Sequence, residues 1–281
     1  MPILDAMAAR WKAILAENRR NSDEVIGVAL AFAGVVDARS RRVVATNDKF
    51  TDAPAIDLEE WAQRVMGLPI EMDNDARVAL LGEWQAGAGR GADDLVMVTL
   101  GTGIGAAAVS DGRIIRGGHG MAGIFGGHLT VNYAGRRCTC GNIGCAEAEA
   151  STDRLAELVR DVAHAGGMNA DGRDTEPFDY ARIFALADAG DALAASVRDR
   201  SVAVWSAMVV NLIHAYGPQR VVMGGGIARG APWLIKAIRQ HVDQHAWMPW
   251  GNVEIRLAEL GDDAALIGGA ELFQSQGSRA S

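Results

Sequence analysis

The sequence predicts an α/β fold, and three observations carry that expectation. Short apolar runs of strand length alternate with amphipathic stretches of helical period. The 34 glycines follow no collagen period and point to tight turns and to backbone that approaches a ligand closely. Hydrophobic residues make up 49% of the 281-residue chain and charged residues 22%, the balance of a globular protein with a core of its own.

The elements follow in order. Leu4, Met7, Trp11, Ile14 and Leu15 share one face of an opening helix. Val25–Ala31 reads as a strand entering Gly34. Asp57 caps a helix carrying Leu58, Trp61 and Val65, and Gly67-Leu68-Pro69 stops it. Pro69–Met72 is a strand running into Asp73-Asn74-Asp75, with a helix over Ala76–Gln85. Leu95–Leu100 and Ile104–Val109 are buried strands around a Gly-rich turn, and Asp111-Gly112 is a hairpin signal. His128–Asn132 reads as a short strand. Helices are expected over Thr152–Val162, Phe178–Ala187 and Asp191–Tyr216, with a Gly/Asp-rich loop at Gly166–Arg173. Arg220–Met223 is a strand entering Gly224-Gly225-Gly226. After it come a helix over Trp233–His241, a strand over Val253–Leu257 and a last helix over Ala264–Phe273.

The net charge of −8 argues against a general nucleic-acid binder. The longest apolar stretch, Ala203–Tyr216, is broken by Ser206, Asn211 and His214, so no membrane helix is expected. The opening residues carry Asp5 and no apolar signal core, which makes a cytoplasmic chain the default.

Four motifs carry chemistry. All three cysteines fall in Cys138-Thr139-Cys140 and Cys145. Thiolates this close repel one another unless protonated, oxidised or bound to a cation. With His128 upstream they make a Cys3His set for a closed, structural zinc site, against the plainer reading of three buried thiols. Gly101-Thr102-Gly103 between two strands is either a tight hairpin turn or a loop presenting N–H groups and a hydroxyl to an anion. It is neither the dinucleotide fingerprint nor a Walker loop. Gly224-Gly225-Gly226 is either a turn needing positive φ or a close backbone approach to a ligand. Asp73-Asn74-Asp75 stands at a strand-to-helix junction, where one acid would cap the helix and a second carboxylate could take a hydroxyl proton.

In this order the motifs resemble the ROK family of bacterial sugar kinases and repressors. The strings that carry the resemblance are CTCGNIGCAE, VVMGGGIA, LGDDAALIGGA and the block from Ala79 to Gly123. The resemblance implies an actin-like, ribonuclease H-like ATPase fold with two α/β lobes, over residues 1–97 and 98–281, the last helix packing back on the first lobe. It implies a glucokinase-like or N-acetylhexosamine-kinase-like enzyme moving a phosphoryl group from Mg2+-ATP to a sugar hydroxyl, usually the 6-hydroxyl. Carried over, Asp75 is the general base, and Asn74, Glu147, His128 and Gly34 bind the sugar. Gly101, Thr102 and Gly103 hold the ATP phosphates, and Gly225 and Gly226 border the adenosine. His128, Cys138, Cys140 and Cys145 hold zinc, and a homodimer is expected.

Two departures accompany the match. No Asp-x-Gly-Gly-Thr string occurs in the chain. Met1–Arg20 resembles the helix that follows that opening strand group, so the N-terminal lobe is expected to be incomplete. The family's Glu-x-Gly-His becomes Ile124-Phe125-Gly126-Gly127-His128, and neither Ile124 nor Phe125 is a carboxylate. The alternative reading is therefore a catalytically impaired, sugar-binding or regulatory protein of the same fold. A DNA-binding module would need more than the single helix of Met1–Arg20.

Overall fold

A computed structural model of the chain describes residues 2–17, 25–46, 49–168 and 179–277. The described elements of the first part are α1 (Pro2–Glu17), β1 (Val28–Phe32), β2 (Val35–Asp37), β3 (Arg42–Ala45), α2 (Leu58–Met66), β4 (Ile70–Asn74) and α3 (Asp75–Ala86). Then come β5 (Leu95–Leu100), β6 (Ile104–Ser110), β7 (Arg113–Ile114), α4 (Ala146–Ala150), α5 (Leu155–Ala165), α6 (Tyr180–Asp188) and α7 (Ala192–Tyr216). The chain closes with β8 (Arg220–Gly224), α8 (Gly225–Gly230), α9 (Trp233–His245), β9 (Glu254–Leu257) and α10 (Ala264–Gly277).

Two compact units emerge. Unit one comprises Met1–Gly82, Arg116–Ala122 and Asp262–Ser281; unit two comprises Glu83–Ile115 and Gly123–Gly261. The expected boundary at residue 97 would cut β5. The division falls after Gly82, and β5 pairs on both edges with strands of unit two.

In unit one, β1 and β4 run parallel, Val28 opposite Ile70 and Phe32 opposite Asn74. β2 and β3 form an antiparallel hairpin. The core gathers Leu4, Phe32, Val36, Val43, Leu58, Trp61, Ile70 and Met72. The Asp57 carboxylate accepts from Glu60 N–H and Gly67 ends α2 at φ 71°, the cap and stop the residues call for. α10 packs on β1 and β4. Glycine also permits its close approach to α3: a Cβ on Gly82 would overlap Ala264 O, and one on Gly268 would overlap Val78 O. β1 begins three residues later than expected, at Val28, and the Phe273 ring occupies the space a side chain at Gly27 would need.

Unit two holds a five-stranded sheet in the order β7-β6-β5-β8-β9. β5 is antiparallel to β6 and parallel to β8, and β8 is parallel to β9. Asp111 and Gly112, at φ 49° and 65°, make the β6–β7 turn. α7 is the central helix of the core. Asp191 caps it through Ala194 N–H and Gly217 ends it at φ 54°. It buries Val197, Trp205, Met208 and Leu212 among Val96, Val98, Leu100, Ala106 and Met223. Exposing this face would cost about 25 cal/mol for each Å² of apolar surface returned to water.

Two local readings change. His128 lies in a 3-10 turn over Gly126–His128, and only Thr130 of the expected strand makes a bridge, to Cys145. Thr152–Arg154 is a 3-10 turn before α5. Residues 169–173 of the Gly/Asp-rich loop, and Phe178, lie outside the described residues.

Candidate functional site

In unit one the site is built on the junction of β4 and α3. Asn74 ends the strand, and its Oδ1 accepts from Ala76 N–H at 3.1 Å and Arg77 N–H at 3.3 Å. Asn74 therefore caps the helix. Its Nδ2 donates to Gly34 O and to Asp75 Oδ1, both at 3.0 Å, which brings Gly34 to the same turn. Gly34 suits this place, since a Cβ there would stand 2.8 Å from Ala45 O and 2.9 Å from the Phe32 ring. Asp75 Oδ1 also accepts from Ala76 N–H at 2.9 Å. The Asp75 residue is exposed at the surface of unit one, yet protein atoms crowd its carboxyl. Loss of surrounding water raises its pKa above the ordinary carboxylate value, against hydrogen bonds from Ala76, its own N–H and Asn74 that pull it down. An accessible carboxylate with raised proton affinity is suited to accept a proton.

Beneath this turn lies a charged network that the sequence reading did not assign. Asp73 and Arg77 are fully buried, and Arg77 Nη1 donates to Asp73 Oδ1 at 2.7 Å. Arg116 donates to Asp73 Oδ2 at 2.7 Å.

In unit two, Gly101, Thr102 and Gly226 line one cavity of about 340 Å³. Thr152, Asp179, Tyr180, Phe184 and Ile227 complete much of its wall. The Gly-Thr-Gly turn is held by its carbonyls: Thr152 N–H donates to Gly101 O and Asp153 N–H to Thr102 O, both at 3.1 Å. The glycine triplet separates into two roles. Gly225 sits at φ +85° and a Cβ there would overlap Leu100 O, so it is needed for the turn. A Cβ on Gly226 or on Gly101 would meet nothing within 4 Å, so these two leave space open. Thr152, Asp179 and Phe184 have no motif around them; only the folded chain brings them to the cavity.

Also in unit two, the ligand atoms of His128, Cys138, Cys140 and Cys145 lie within 4.8 Å of one another. Cys138 Sγ is 3.5 Å from His128 Nδ1, and Cys140 Sγ is 3.7 Å from Cys145 Sγ. Three sulfurs and one imidazole nitrogen converging in this way fit a tetrahedral zinc ion. Burial raises the Cys138 thiol, and burial with the neighbouring thiols pushes Cys145 up to about 12. Asn142 Nδ2 donates to Thr130 Oγ1 at 3.0 Å and lies 3.4 Å from Cys145 Sγ, bracing the loop. Glu147 Oε2 accepts from Ile104 N–H at 2.9 Å, and Oε1 lies 3.9 Å from His128 Nδ1. Glu147 thus ties the Gly-Thr-Gly hairpin to the metal loop. Of the two positions aligned with the absent carboxylate, Ile124 is buried and Phe125 exposed.

Comparisons with known proteins identify the family. A family model described as the ROK family matches residues 3–276. A glucokinase of Halalkalibacterium halodurans is 34% identical over 98% of this chain and 82% of its own. A xylose repressor of Caldicellulosiruptor bescii is 26% identical over 87% of this chain and 61% of its own. The crystal structure of a ROK family glucokinase from Streptomyces griseus, in complex with glucose and AMPPNP, superposes with a TM-score of 0.77. It is 29% identical, and the match covers 96% of this chain and 87% of that one.

Proposed function

Since the chain belongs to the ROK family and has its actin-like ATPase fold, we propose that it is an ATP-dependent sugar kinase acting on a hexose or N-acetylhexosamine, at the 6-hydroxyl. The observation that carries this reading is Asp75: an exposed carboxylate, fixed by Asn74 and Ala76 at a helix start, with its proton affinity raised by crowding.

In the proposed reaction Asp75 accepts the proton of the sugar hydroxyl as that oxygen attacks the γ-phosphorus. The new P–O bond forms as the bond to the ADP oxygen breaks. Positioning and charge stabilisation supply most of the acceleration in such transfers. Gly101, Thr102 and Gly103 are assigned to the ATP phosphates, and Gly225 and Gly226 to the adenosine. Gly34, Asn74, Glu147 and His128 are assigned to the sugar. Mg2+, when bound with ATP, neutralises phosphate charge. Zinc at His128, Cys138, Cys140 and Cys145 is structural, holding the loop from which Glu147 and His128 are presented.

The experiment is a coupled ADP-release assay of the zinc-loaded chain against glucose, mannose and their N-acetyl forms, with Asp75→Asn as control. Sugar-dependent release that the substitution abolishes supports the kinase. A second reading, a sugar-binding or regulatory protein, is favoured by the missing carboxylate at Ile124 and Phe125. It expects calorimetric sugar binding with no ADP release above background.

A further inference from the structure

The Asp73–Arg77–Arg116 network sits directly under the turn that bears Asp75, and the proposed chemistry gives it no part. Its bonds are specific. Asp73 Oδ1 accepts both Asn74 N–H at 2.8 Å and Arg77 Nη1 at 2.7 Å. Asp73 Oδ2 accepts Arg116 Nη2 at 2.7 Å. The other end of the Arg77 guanidinium donates through Nη2 to Gly120 O and to Ala122 O, both at 2.8 Å. The Arg77 main chain also donates to the Asn74 side chain. One buried side chain therefore touches the turn on one side and the end of the segment Arg116–Ala122 on the other.

Within that segment, Ala122 N–H donates to Arg116 O at 3.0 Å and Gly120 N–H to Gly117 O at 3.4 Å. The segment contains no helix or strand. Gly117 and Gly120 take φ of 64° and 74°, and Gly117, Gly118 and His119 are exposed. Segments with few buried apolar contacts open readily unless tied down. The planar fork of arginine can serve a carboxylate and two carbonyls at once, which the single ammonium of lysine cannot do in the same geometry. A buried charge pair of this kind contributes more to fixing an arrangement than to net stability.

We propose that Arg77 is a positioning residue. Through Asp73 it sets the turn that aims Asp75, and through Gly120 O and Ala122 O it holds the segment 116–122 against the same turn. Asp73 and Arg116 complete the device. The inference rests on the kinase reading for its effect on turnover, and on geometry alone for the clamp.

The test uses the full zinc-loaded chain and three variants, Arg77→Met, Arg77→Lys and Arg116→Met, with two readouts. The first is amide hydrogen exchange by mass spectrometry over 116–122 and 74–77. In Arg77→Met the amides of 116–122 should exchange at least about tenfold faster, since their anchor is gone. The second is steady-state kinetics with glucose and ATP. Arg77→Met should lower kcat about 10- to 100-fold, the usual cost of misplacing a reacting group. The KM for glucose should rise and the KM for ATP stay unchanged. Arg77→Lys should recover part of kcat, as it restores the charge beside Asp73 without the second set of bonds. A merely structural role would lower the active fraction and leave both KM values alone. If Arg77→Met does not fold, Arg116→Met takes its place, and the same segment should exchange faster by a smaller factor. Unchanged exchange over 116–122 in a folded variant overturns the clamp. Faster exchange with kcat and the glucose KM unaltered overturns the positioning role. A wild-type chain that releases no ADP with any sugar counts against the kinase reading, and the exchange readout still decides the clamp.

Discussion

Asp75 is the residue on which turnover should depend most. Its pKa is raised because the folded protein crowds the carboxyl, and a base works only when ionised. The acid limb of kcat/KM should therefore lie at higher pH than an ordinary carboxylate would give, with activity rising as pH rises through it. The same sign governs stability. A carboxyl whose pKa is higher in the folded than in the unfolded chain detracts from stability once pH passes its unfolded value. Asp75→Asn should thus lower kcat by about 10²- to 10⁴-fold while the melting temperature at neutral pH holds or rises. A melting temperature that falls sharply would show that Asp75 is there for the fold. Gly225 and Gly226, the first two residues of α8, make a second contrast at this scale. Gly225→Ala should disrupt folding, because it needs both positive φ and the space that Leu100 O fills. Gly226→Ala meets no neighbour and should fold normally, but its methyl group stands at the cavity and should weaken ATP binding measured by calorimetry.

The metal loop is the element with the clearest link between spacing and structure. Cys138, Cys140, Cys145 and His128 were legible as a ligand set from their clustering alone, since a closed zinc site needs little beyond four donors on a short, glycine-bearing loop. Because Cys145 is pushed up to about 12 and Cys138 is also raised, these thiols are protonated in the metal-free chain at neutral pH. Zinc takes thiolates, so binding must expel protons and strengthen as pH rises. Titrating zinc into chelator-treated protein, in two buffers of different ionisation enthalpy, should show that release; Cys140→Ser should diminish both zinc retention and proton release. No difference between the buffers would argue against thiolate ligation. Capped elements were equally legible, because their signals are local: Asp57 and Gly67 bound α2, and Asp191 and Gly217 bound α7. The short strand expected over His128–Asn132 was not: its first residue closes a 3-10 turn over Gly126–His128, and Thr130 makes an isolated bridge to Cys145. Gly126 and Gly127 stand where a Cβ would overlap Ala106 and Ile104 O, and nothing local announces those neighbours.

Across the molecule, what the sequence leaves hidden is whatever depends on distant pairing. The membership of β5 in the second unit follows from its partners, which lie as far off as β8. Arg77 finds its carbonyl partners at Gly120 and Ala122, and no spacing rule connects them. Net charge, by contrast, is a whole-chain property that sequence states directly. The relatives include both sugar kinases and repressors, and the charge of −8 bears on that choice. A protein that neutralises DNA phosphates gains affinity steeply as salt falls, by releasing counterions. An acidic surface has few cations to offer that exchange and repels the duplex at long range. The 281-residue chain should therefore leave a fluorescein-labelled mixed-sequence duplex unbound in anisotropy measurements, even at about 50 mM salt where such contacts are strong. Sugar binding, read by calorimetry on the same preparation, should be nearly indifferent to salt because the ligand is neutral. Duplex binding that weakens steeply with added salt would reveal a basic face that the net charge conceals, and would move the weight of argument from the kinase to the regulator.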